Sequence, residues 1–344
     1  MHLTAMLNAD LLPVLVYNLA VLVASMVVIA KSSELVVANS MRIVRLTRMA
    51  EAMFGFIVLS VTTNVPELAI AFSSALSANA QLSVGNIIGS NVAELTLVLG
   101  LLAIIAPIKL KRKTLQRLPL LLFVSSLVPL SLLGMQWFDP AQRIGDIIGT
   151  TLVLTFAFFI YYSVHRRIRV RFPPFPSNPR TILRRITRHF ELYRSALIMC
   201  AGLLAVIVAA SFAVSSAAAI ADIAEISESV IGATLIAFGT TLPELSVSLT
   251  AARKRHKELA VANIIGSCLV KVTLVFGMLM LLSTVSVDIA VFSTLLVFLI
   301  GITMAVWYFF TSGSRLDRNE GILLVMVYVL FLISAFGVQL AVAL

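Results

Sequence analysis

Long apolar runs recur along the chain, and each is long enough to cross a membrane as a helix. A membrane-spanning helix needs about 20 mostly apolar residues, and ten runs reach that length. They lie at about 11–30, 49–77, 82–107, 118–137, 145–163, 195–217, 226–252, 258–283, 288–311 and 320–343. The pattern therefore predicts an all-α polytopic membrane protein with ten transmembrane helices and with both termini on the same side of the membrane.

Composition excludes the soluble classes of protein. Hydrophobic residues make up 60% of the 344 residues and charged residues only 12%, whereas soluble domains are about 25% charged. A soluble enzyme or a nucleic-acid-binding domain is therefore excluded despite the net charge of +10. No paired histidines, nucleophile elbow or phosphate-binding loop indicates a membrane enzyme, and nothing indicates a cofactor.

The basic residues follow the predicted spans. Of the 26 lysines and arginines, 24 fall in the segments after spans one, three, five, seven and nine. Short segments rich in these residues stay cytoplasmic, so we expect both termini to face away from the cytoplasm, in an inner (plasma) membrane. The positive charge then matches anionic membrane lipid rather than nucleic acid. The basic stretch 164–194 is expected to be a cytoplasmic linker, mobile in part.

The chain contains an internal repeat. Residues 61–100 align without a gap with residues 238–277, at an offset of 177 and with 16 identities in 40 positions. We therefore expect two five-helix repeats, 1–163 and 195–344, which the basic linker joins.

The second copy of the repeat is expected to be inverted in the membrane. Five helices, an odd number, separate equivalent positions of the two copies. The charges agree, because the loop inside the first copy is uncharged and the loop inside the second copy is the basic segment 253–257. Inverted repeats are typical of secondary transporters, which bind their substrate near the midplane where the repeats meet. The alternative is a duplication without a transport function.

Four ionisable residues lie inside the predicted spans, all within the two copies: Glu67, Glu94, Glu244 and Lys271. Ionisable side chains in a bilayer usually mark the path of an ion or a proton. The alternative is a Glu–Lys pair that only holds helices together.

A proline precedes two of these glutamates, Pro66 before Glu67 and Pro243 before Glu244. Proline has no N–H to donate to the carbonyl four residues earlier, so both helices are expected to open there. Free carbonyls, threonine hydroxyls and a carboxylate are the hard oxygen ligands that Ca²⁺ and similar ions require. Two such broken helices, meeting antiparallel, predict a cage that contains two carboxylates.

Small and polar residues follow in each copy, in the runs 85–90 and 262–267. Small residues let membrane helices approach closely. The asparagine of each run suits either helix packing or a hydrogen bond to the freed backbone, and the serine is a further candidate ligand. These residues are Asn86 and Asn263, Ser90 and Ser267.

These motifs resemble those of the cation/calcium antiporter superfamily, which includes the sodium/calcium exchangers and their bacterial relatives. Each of that family's two alpha repeats carries G-T-S-x-P-E followed by G-N-x-x-G-S-N. The corresponding segments here are 62–67 with 85–91, and 239–244 with 262–268. The resemblance implies a ten-helix exchanger that works by alternating access, in which helices one and six slide against the remaining helices.

The resemblance also implies roles for individual residues. Glu67 and Glu244 would be the principal carboxylate ligands of the metal cation. Neighbouring residues would supply backbone or hydroxyl oxygens, and the motif serines would lie at flanking sites for monovalent ions. The first group is Thr63, Asn64, Thr240 and Thr241, and the second is Ser90 and Ser267.

The chain departs from that family at one pair of equivalent positions. Four residues after the motif serine, sodium/calcium exchangers usually have Asn or Asp, and this chain has Glu94 and Lys271. An ammonium group cannot ligate a metal ion. We therefore expect Glu94 and Lys271 to pair across the pseudo-twofold axis and to leave Glu67 and Glu244 for one divalent ion.

Lys271 leaves three hypotheses open. In the first, Lys271 takes the place of one coupling ion. In the second, Lys271 releases its proton when a cation binds. In the third, the transported substrate is an organic cation or a zwitterion instead of a metal ion. The leading interpretation is an antiporter that exchanges Ca²⁺ or another cation for Na⁺ or H⁺. An ion channel and a non-transporting receptor are the alternatives, and only an antiporter shows saturable flux that depends on a counter-ion.

Overall fold

Helices make up nearly all of the described structure. The computed structural model describes residues 11–47, 49–76, 80–109, 127, 143–167, 179–223, 237–283, 289–312 and 315–343. The helices are α1 (Leu11–Thr47), α2 (Glu51–Phe54), α3 (Ser60–Thr63), α4 (Val65–Leu76), α5 (Ala80–Ala93), α6 (Leu99–Ile105), α7 (Arg143–Arg167), α8 (Pro179–Ile223), α9 (Ala237–Thr240), α10 (Leu242–Arg253), α11 (Lys257–Val270), α12 (Phe276–Leu282), α13 (Ile289–Ser312) and α14 (Arg318–Ala343). Three π-helical turns, Gly55–Leu59, Glu94–Val98 and Lys271–Val275, and two short strands, β1 (Ile108–Lys109) and β2 (Arg315–Leu316), complete the order.

Several helices are long and apolar enough to cross a membrane. Four of the described helices meet this condition, and one bent pair would make a fifth span. The four are Pro13–Thr47, Ser83–Ile105, Thr187–Ala209 and Lys257–Leu282, and the pair is Glu51–Thr63 with Val65–Phe72. The predicted span 118–137, apart from residue 127, and the beginning of 226–252 lie outside the described residues. The count of ten helices therefore stays a prediction.

Two helices extend far beyond the predicted spans. Helix α1 has 37 residues and α8 has 45, which at 1.5 Å per residue gives lengths of about 56 and 68 Å. The hydrocarbon core of a bilayer is only about 30 Å thick. The segment after residue 30 thus continues span one as a helix. The predicted linker 164–194 is likewise helical in its described parts, up to Arg167 and from Pro179 onward.

The two copies of the repeat fold alike. Adding 177 to the bounds of α3, α4, α5 and α6 gives the bounds of α9, α10, α11 and α12, and the same shift relates the π-turns Glu94–Val98 and Lys271–Val275. The packing is also reciprocal, since α11 packs on α3 as α5 packs on α9, and α12 packs on α7 as α6 packs on α14. Reciprocal contacts of this kind are expected of two units that a twofold axis relates.

Glycines let an outer helix of each copy lie close to a helix of the other copy. A Cβ atom on Gly100 of α6 would lie 2.8 Å from the Gly321 carbonyl oxygen of α14. A Cβ atom on Gly149 of α7 would lie 2.8 Å from the Gly277 carbonyl oxygen of α12. Because Gly100 and Gly277 are equivalent in the repeat, both crossings depend on the same kind of backbone contact.

The basic segments meet at one end of the molecule. Strand β1, after α6, pairs antiparallel with β2, after α13. The Lys257 ammonium donates a hydrogen bond to the Pro107 carbonyl oxygen at 2.8 Å. Arg188 of α8 donates from Nε to the Leu46 carbonyl oxygen of α1 at 3.0 Å. These contacts bring the predicted cytoplasmic segments together, and the side of the membrane that they face stays a prediction.

The core lies between the two copies, and α1 and α8 lie at its edge. The main apolar cluster joins buried residues of α5, α6, α11 and α12. By contrast, most of α1 and α8 is exposed, and these two helices pack mainly on each other. Both helices also contribute buried residues to the main cluster, among them Val37 and Met41 of α1 and Met199 of α8. A small separate cluster adds contacts with α10 through Ile29, Val206, Ala209 and Leu242.

Candidate ion-binding site

Both proline-containing helices are broken one turn before their glutamate. The first break is at Asn64, with φ −85° and ψ 11°, and the second is at the equivalent Thr241, with φ −83° and ψ −5°. The first broken helix bends by 41°. These breaks confirm that the helices open at the two motifs, and they place Glu67 and Glu244 in the first turns of α4 and α10. A carboxylate at that end of a helix is stabilised by the helix dipole.

A π-helical turn opens the facing helix of each copy. Glu94 begins one of these turns and Lys271 begins the equivalent turn. Such turns widen a helix by one residue and frequently occur at functional sites. The sequence analysis did not predict them, although the equivalence of Glu94 and Lys271 in the repeat was a signal that pointed to this position.

All four intramembrane ionisable side chains are fully buried. Glu67, Glu94, Glu244 and Lys271 each have 0% exposure. The Lys271 ammonium lies 3.3 Å from Oε1 of Glu94 and 3.5 Å from Oε1 of Glu67. The structure thus contains the expected contact between Glu94 and Lys271. It also differs from the expectation, because the lysine contacts Glu67 as well and does not leave that carboxylate free.

Glu94 is held by neighbours on the opposite copy. The Ser267 hydroxyl donates to Oε1 of Glu94 at 2.6 Å, and the Cys268 thiol donates to Oε2 at 3.0 Å. The Ser267 oxygen in turn accepts a hydrogen bond from Nδ2 of Asn64 at 2.8 Å. A chain of hydrogen bonds therefore runs from the first helix break to Glu94, with Lys271 beside it. Cys268, which stands where the family motif has asparagine, was not predicted to take part.

Glu67 and Glu244 have a different environment. None of their carboxylate oxygens accepts a hydrogen bond from a described residue, and Oδ1 of Asn64 also lacks a donor. Glu244 lies within electrostatic range of Glu67 and Lys271 but forms no ion pair with any described residue. Buried polar groups are nearly always satisfied. Both oxygens of Glu244, Oε2 of Glu67 and Oδ1 of Asn64 are therefore available to a ligand, and a cation is the ligand that carboxylate and amide oxygens bind.

The predicted hydroxyl ligands direct their protons to the backbone of their own helices. They donate to carbonyl oxygens three or four residues earlier: Thr63 to Leu59, Thr240 to Ala237, Thr241 to Phe238 and Ser90 to Ile87. A hydroxyl that donates in this way keeps lone pairs for a cation. The arrangement is compatible with the expected ligand roles.

The two motif asparagines do not bond to the freed backbone. Oδ1 of Asn86 lies 3.3 Å from the Thr240 hydroxyl, whose single proton it shares with the Ala237 carbonyl oxygen. Nδ2 of Asn263 donates to the Ser248 hydroxyl at 3.1 Å. The sequence left two interpretations of these asparagines open, helix packing and a hydrogen bond to the freed backbone, and the observed contacts favour helix packing.

Carboxylates alone do not make a metal site here. Within the described residues, no group of three His, Cys, Asp or Glu side chains is arranged to hold a metal ion. Lys271 instead lies between Glu67 and Glu94. A cation at this site would therefore bind Glu244 and Glu67, of which Glu67 also contacts Lys271, together with neutral oxygens.

Comparison with known proteins identifies the family. The chain matches the sodium/calcium exchanger protein family over residues 17–165 and 194–337. The chain belongs to the sodium/calcium exchanger family. An uncharacterized membrane protein of Methanocaldococcus jannaschii, MJ0091, is 31% identical over 327 residues, which cover 93% of this chain and 98% of that protein. The sodium/calcium exchanger MaX1 of Methanosarcina acetivorans is 25% identical over 345 residues, with the same coverage of 93% and 98%.

A solved structure agrees with this family. The sodium-calcium exchanger NCX_Mj, soaked with 10 mM Na⁺ and zero Ca²⁺, superimposes with a TM-score of 0.72 at 25% identity, over 92% of this chain and 98% of that chain. The expectation of a helical polytopic membrane exchanger with inverted repeats is thereby confirmed. The sodium/calcium exchanger family is a family of transporters, and membership in it supports cation antiport by this chain.

The hydrogen-bond chain yields a prediction for Ser267. The Ser267→Ala variant is expected to lower the free energy of unfolding by about 1–3 kcal/mol, because it removes two buried hydrogen bonds, one of them to the Glu94 carboxylate. The measurement is thermal unfolding in detergent. Ser211→Ala is the matched control, since the exposed Ser211 hydroxyl donates only to its own helix. Equal unfolding of the two variants would contradict the prediction.

Proposed function

We propose that this antiporter exchanges a divalent cation, with Ca²⁺ as the leading candidate, for Na⁺ or H⁺ across the inner membrane. The observation that carries the proposal is the buried, unpaired carboxylate of Glu244 facing the Glu67 and Lys271 region. A charge buried in this way is costly unless a counter-charge accompanies it. A transported cation supplies that counter-charge.

Glu67 and Glu244 are the proposed carboxylate ligands of the cation. Oxygens of Thr63, Asn64 and Thr240 lie at or beside the two helix breaks and complete the site. Oδ1 of Asn64 supports this assignment, because it is buried and accepts no hydrogen bond from a described residue. Thr241, Ser90, Ser267 and Glu94 shape the surroundings.

Lys271 acts in this proposal as a fixed cation in place of one coupling ion. Its contacts with Glu67 and Glu94 support that role. The same contacts disfavour the zwitterion alternative, because two carboxylates already compensate the charge of the ammonium group, so a substrate carboxylate would add an uncompensated negative charge.

Alternating access is proposed to come from movement of α1 and α8 as a pair. These two helices pack more extensively on each other than on any other helix. They can therefore move as one body while their contacts with the core rearrange. The motion would open the site first to one side of the membrane and then to the other.

Flux measured in proteoliposomes tests the function. We expect ⁴⁵Ca²⁺ uptake to be driven by an imposed Na⁺ or H⁺ gradient, to saturate, and to fall about 30-fold or more in Glu67→Gln, because losing one buried charged ligand costs about 2 kcal/mol or more. Glu191→Gln is the control, since Glu191 is half-exposed and lies on α8 away from the site.

Three outcomes would contradict the proposal. Flux that does not saturate and needs no counter-ion would indicate a channel. Unchanged uptake in Glu67→Gln would remove that residue from the site. An absence of divalent flux in the wild type, with flux appearing in Lys271→Asp, would show that the lysine has redirected the scaffold to another substrate.

A further inference from the structure

The net charge of the buried site is defined by four side chains. Glu67, Glu94 and Glu244 contribute three negative charges and Lys271 contributes one positive charge, all at 0% exposure. Among the described residues, no other lysine, arginine, aspartate or glutamate is buried. With all four groups ionised, the empty site carries a charge of −2.

The positive charge of this site cannot be exchanged. The Lys271 ammonium is covalently attached to the first residue of a π-helical turn. Its two carboxylate neighbours, on α4 and at the start of the equivalent turn, hold it in place. It therefore remains in the site whichever transported ion is bound, and neutralises one of the three carboxylates throughout the cycle.

A site closed off from water inside a membrane must be close to neutral. Uncompensated charge in a medium of low dielectric constant is unfavourable by many kcal/mol. One divalent cation neutralises a charge of −2, and so do two monovalent cations. A third monovalent cation would leave the loaded site with a net charge of +1.

We infer that Lys271 sets the coupling ratio of this antiporter at two monovalent cations for one divalent cation, so that exchange is electroneutral. The inference rests on the proposed function and deepens it. Glu94 is the positioning partner that holds the lysine, through its bonds to Ser267 and Cys268. Without the lysine, the same three carboxylates would carry −3 and would accept three monovalent cations.

The test is the steady-state Ca²⁺ ratio in proteoliposomes at membrane potentials set by K⁺ and valinomycin. For a tenfold gradient of the driving monovalent ion, a two-to-one exchange sustains a hundredfold Ca²⁺ gradient at every potential. A three-to-one exchange moves one net charge per cycle, so its Ca²⁺ ratio changes tenfold for about every 59 mV. The wild-type protein is expected to show no dependence on potential.

Two variants test whether Lys271, and not another feature of the protein, sets the coupling ratio. Lys271→Gln leaves a site of charge −3, and its Ca²⁺ ratio should become dependent on potential. The double variant Glu94→Gln with Lys271→Gln returns the charge to −2, and exchange should again be independent of potential. Lys254→Gln is the control, because it removes an exposed positive charge at the basic end of the molecule and should behave as the wild type.

The possible results are distinct. Wild-type exchange that depends on potential overturns the coupling ratio while the antiport function stands. Potential-independent exchange in Lys271→Gln removes the lysine as its cause. An absence of any counter-ion-driven divalent flux in the wild type overturns the proposed function, and this inference with it. The wild-type measurement decides the coupling ratio even where a variant does not fold.

Discussion

The Glu244→Gln variant is expected to lose about 100-fold or more of its exchange activity while unfolding at the same temperature as the wild type or a higher one. The wild-type carboxylate is fully buried and accepts no hydrogen bond from a described residue. A neutral amide of the same size removes a costly buried charge. Among the three intramembrane glutamates, Glu244 alone has no ion pair or hydrogen bond in the described structure, so its carboxylate is the one most available to the transported cation. Removal of a buried charged ligand costs about 2–5 kcal/mol of binding free energy.

Counter-ion-driven ⁴⁵Ca²⁺ uptake and thermal unfolding in detergent, measured on the same preparation, check this prediction. A loss of uptake together with a marked loss of stability would mean that Glu244 holds the fold together and does not bind the ion. Glu191→Gln should change neither quantity, because Glu191 is half-exposed and, among the described residues, pairs only with Arg42, at 3.9 Å. Isolated surface pairs contribute about 0–1 kcal/mol.

The Gly55→Val variant is expected to prevent accumulation of the folded protein. A Cβ atom at Gly55 would lie 2.5 Å from the Leu259 carbonyl oxygen and 3.3 Å from the Asn263 backbone nitrogen. The obstacle is backbone of α11, which cannot turn aside as a side chain can. Overpacking in a well-packed core costs about 1–3 kcal/mol and occasionally more, and valine adds two further methyl groups to the contact.

Size-exclusion chromatography in detergent and unfolding temperature measure the effect, with Gly55→Ala as the smaller step in the same direction. Gly85→Ala is the matched control. No atom of the described residues would lie within 4 Å of a Cβ at Gly85, and the equivalent position of the second copy is Ala262. Gly85→Ala should therefore leave the stability unchanged or raise it slightly. Equal behaviour of Gly55→Ala and Gly85→Ala would contradict this account of the helix crossing.

The glycine contacts show which member of a small-residue run allows close approach. Close approach was predicted for both runs, and in the second run it occurs at Gly266, where a Cβ atom would lie 2.9 Å from the Phe56 carbonyl oxygen. In the first run, no atom of the described residues lies within 4 Å of a Cβ atom placed on Gly85. A run of small residues does not show by itself which of its members face a neighbouring helix.

The repeat is symmetric in its backbone and asymmetric in its chemistry. The breaks at Asn64 and Thr241 have nearly the same dihedral angles, and the π-turns begin at equivalent positions. At those positions, however, one copy has a carboxylate and the other an ammonium. A pseudo-twofold axis relates these two positions, so their side chains can meet near that axis. Because one is a carboxylate and the other an ammonium, the duplicated scaffold forms an ion pair between its two copies.

The sequence by itself determined the membrane class, the two copies of the repeat and the four intramembrane charges. These features depend on hydropathy, on self-similarity and on the rule that the backbone must open next to a proline, all of which are local in the chain. The positions of Glu67 and Glu244 immediately after helix breaks followed from the same local rule. The resemblance to exchangers followed from the motifs around those breaks.

Only the tertiary structure decided how the charges are distributed among partners. Lys271 is close to both Glu67 and Glu94, the Asn64–Ser267–Glu94 chain joins the two copies, and Glu244 has no hydrogen-bonding or ion-pair partner in the described structure. Each of these contacts joins residues far apart in sequence, and its geometry depends on how broken helices cross and how π-turns rotate the side chains that follow. Local patterns contain no information about such crossings, so the electrostatics of the site could be established only from the folded chain.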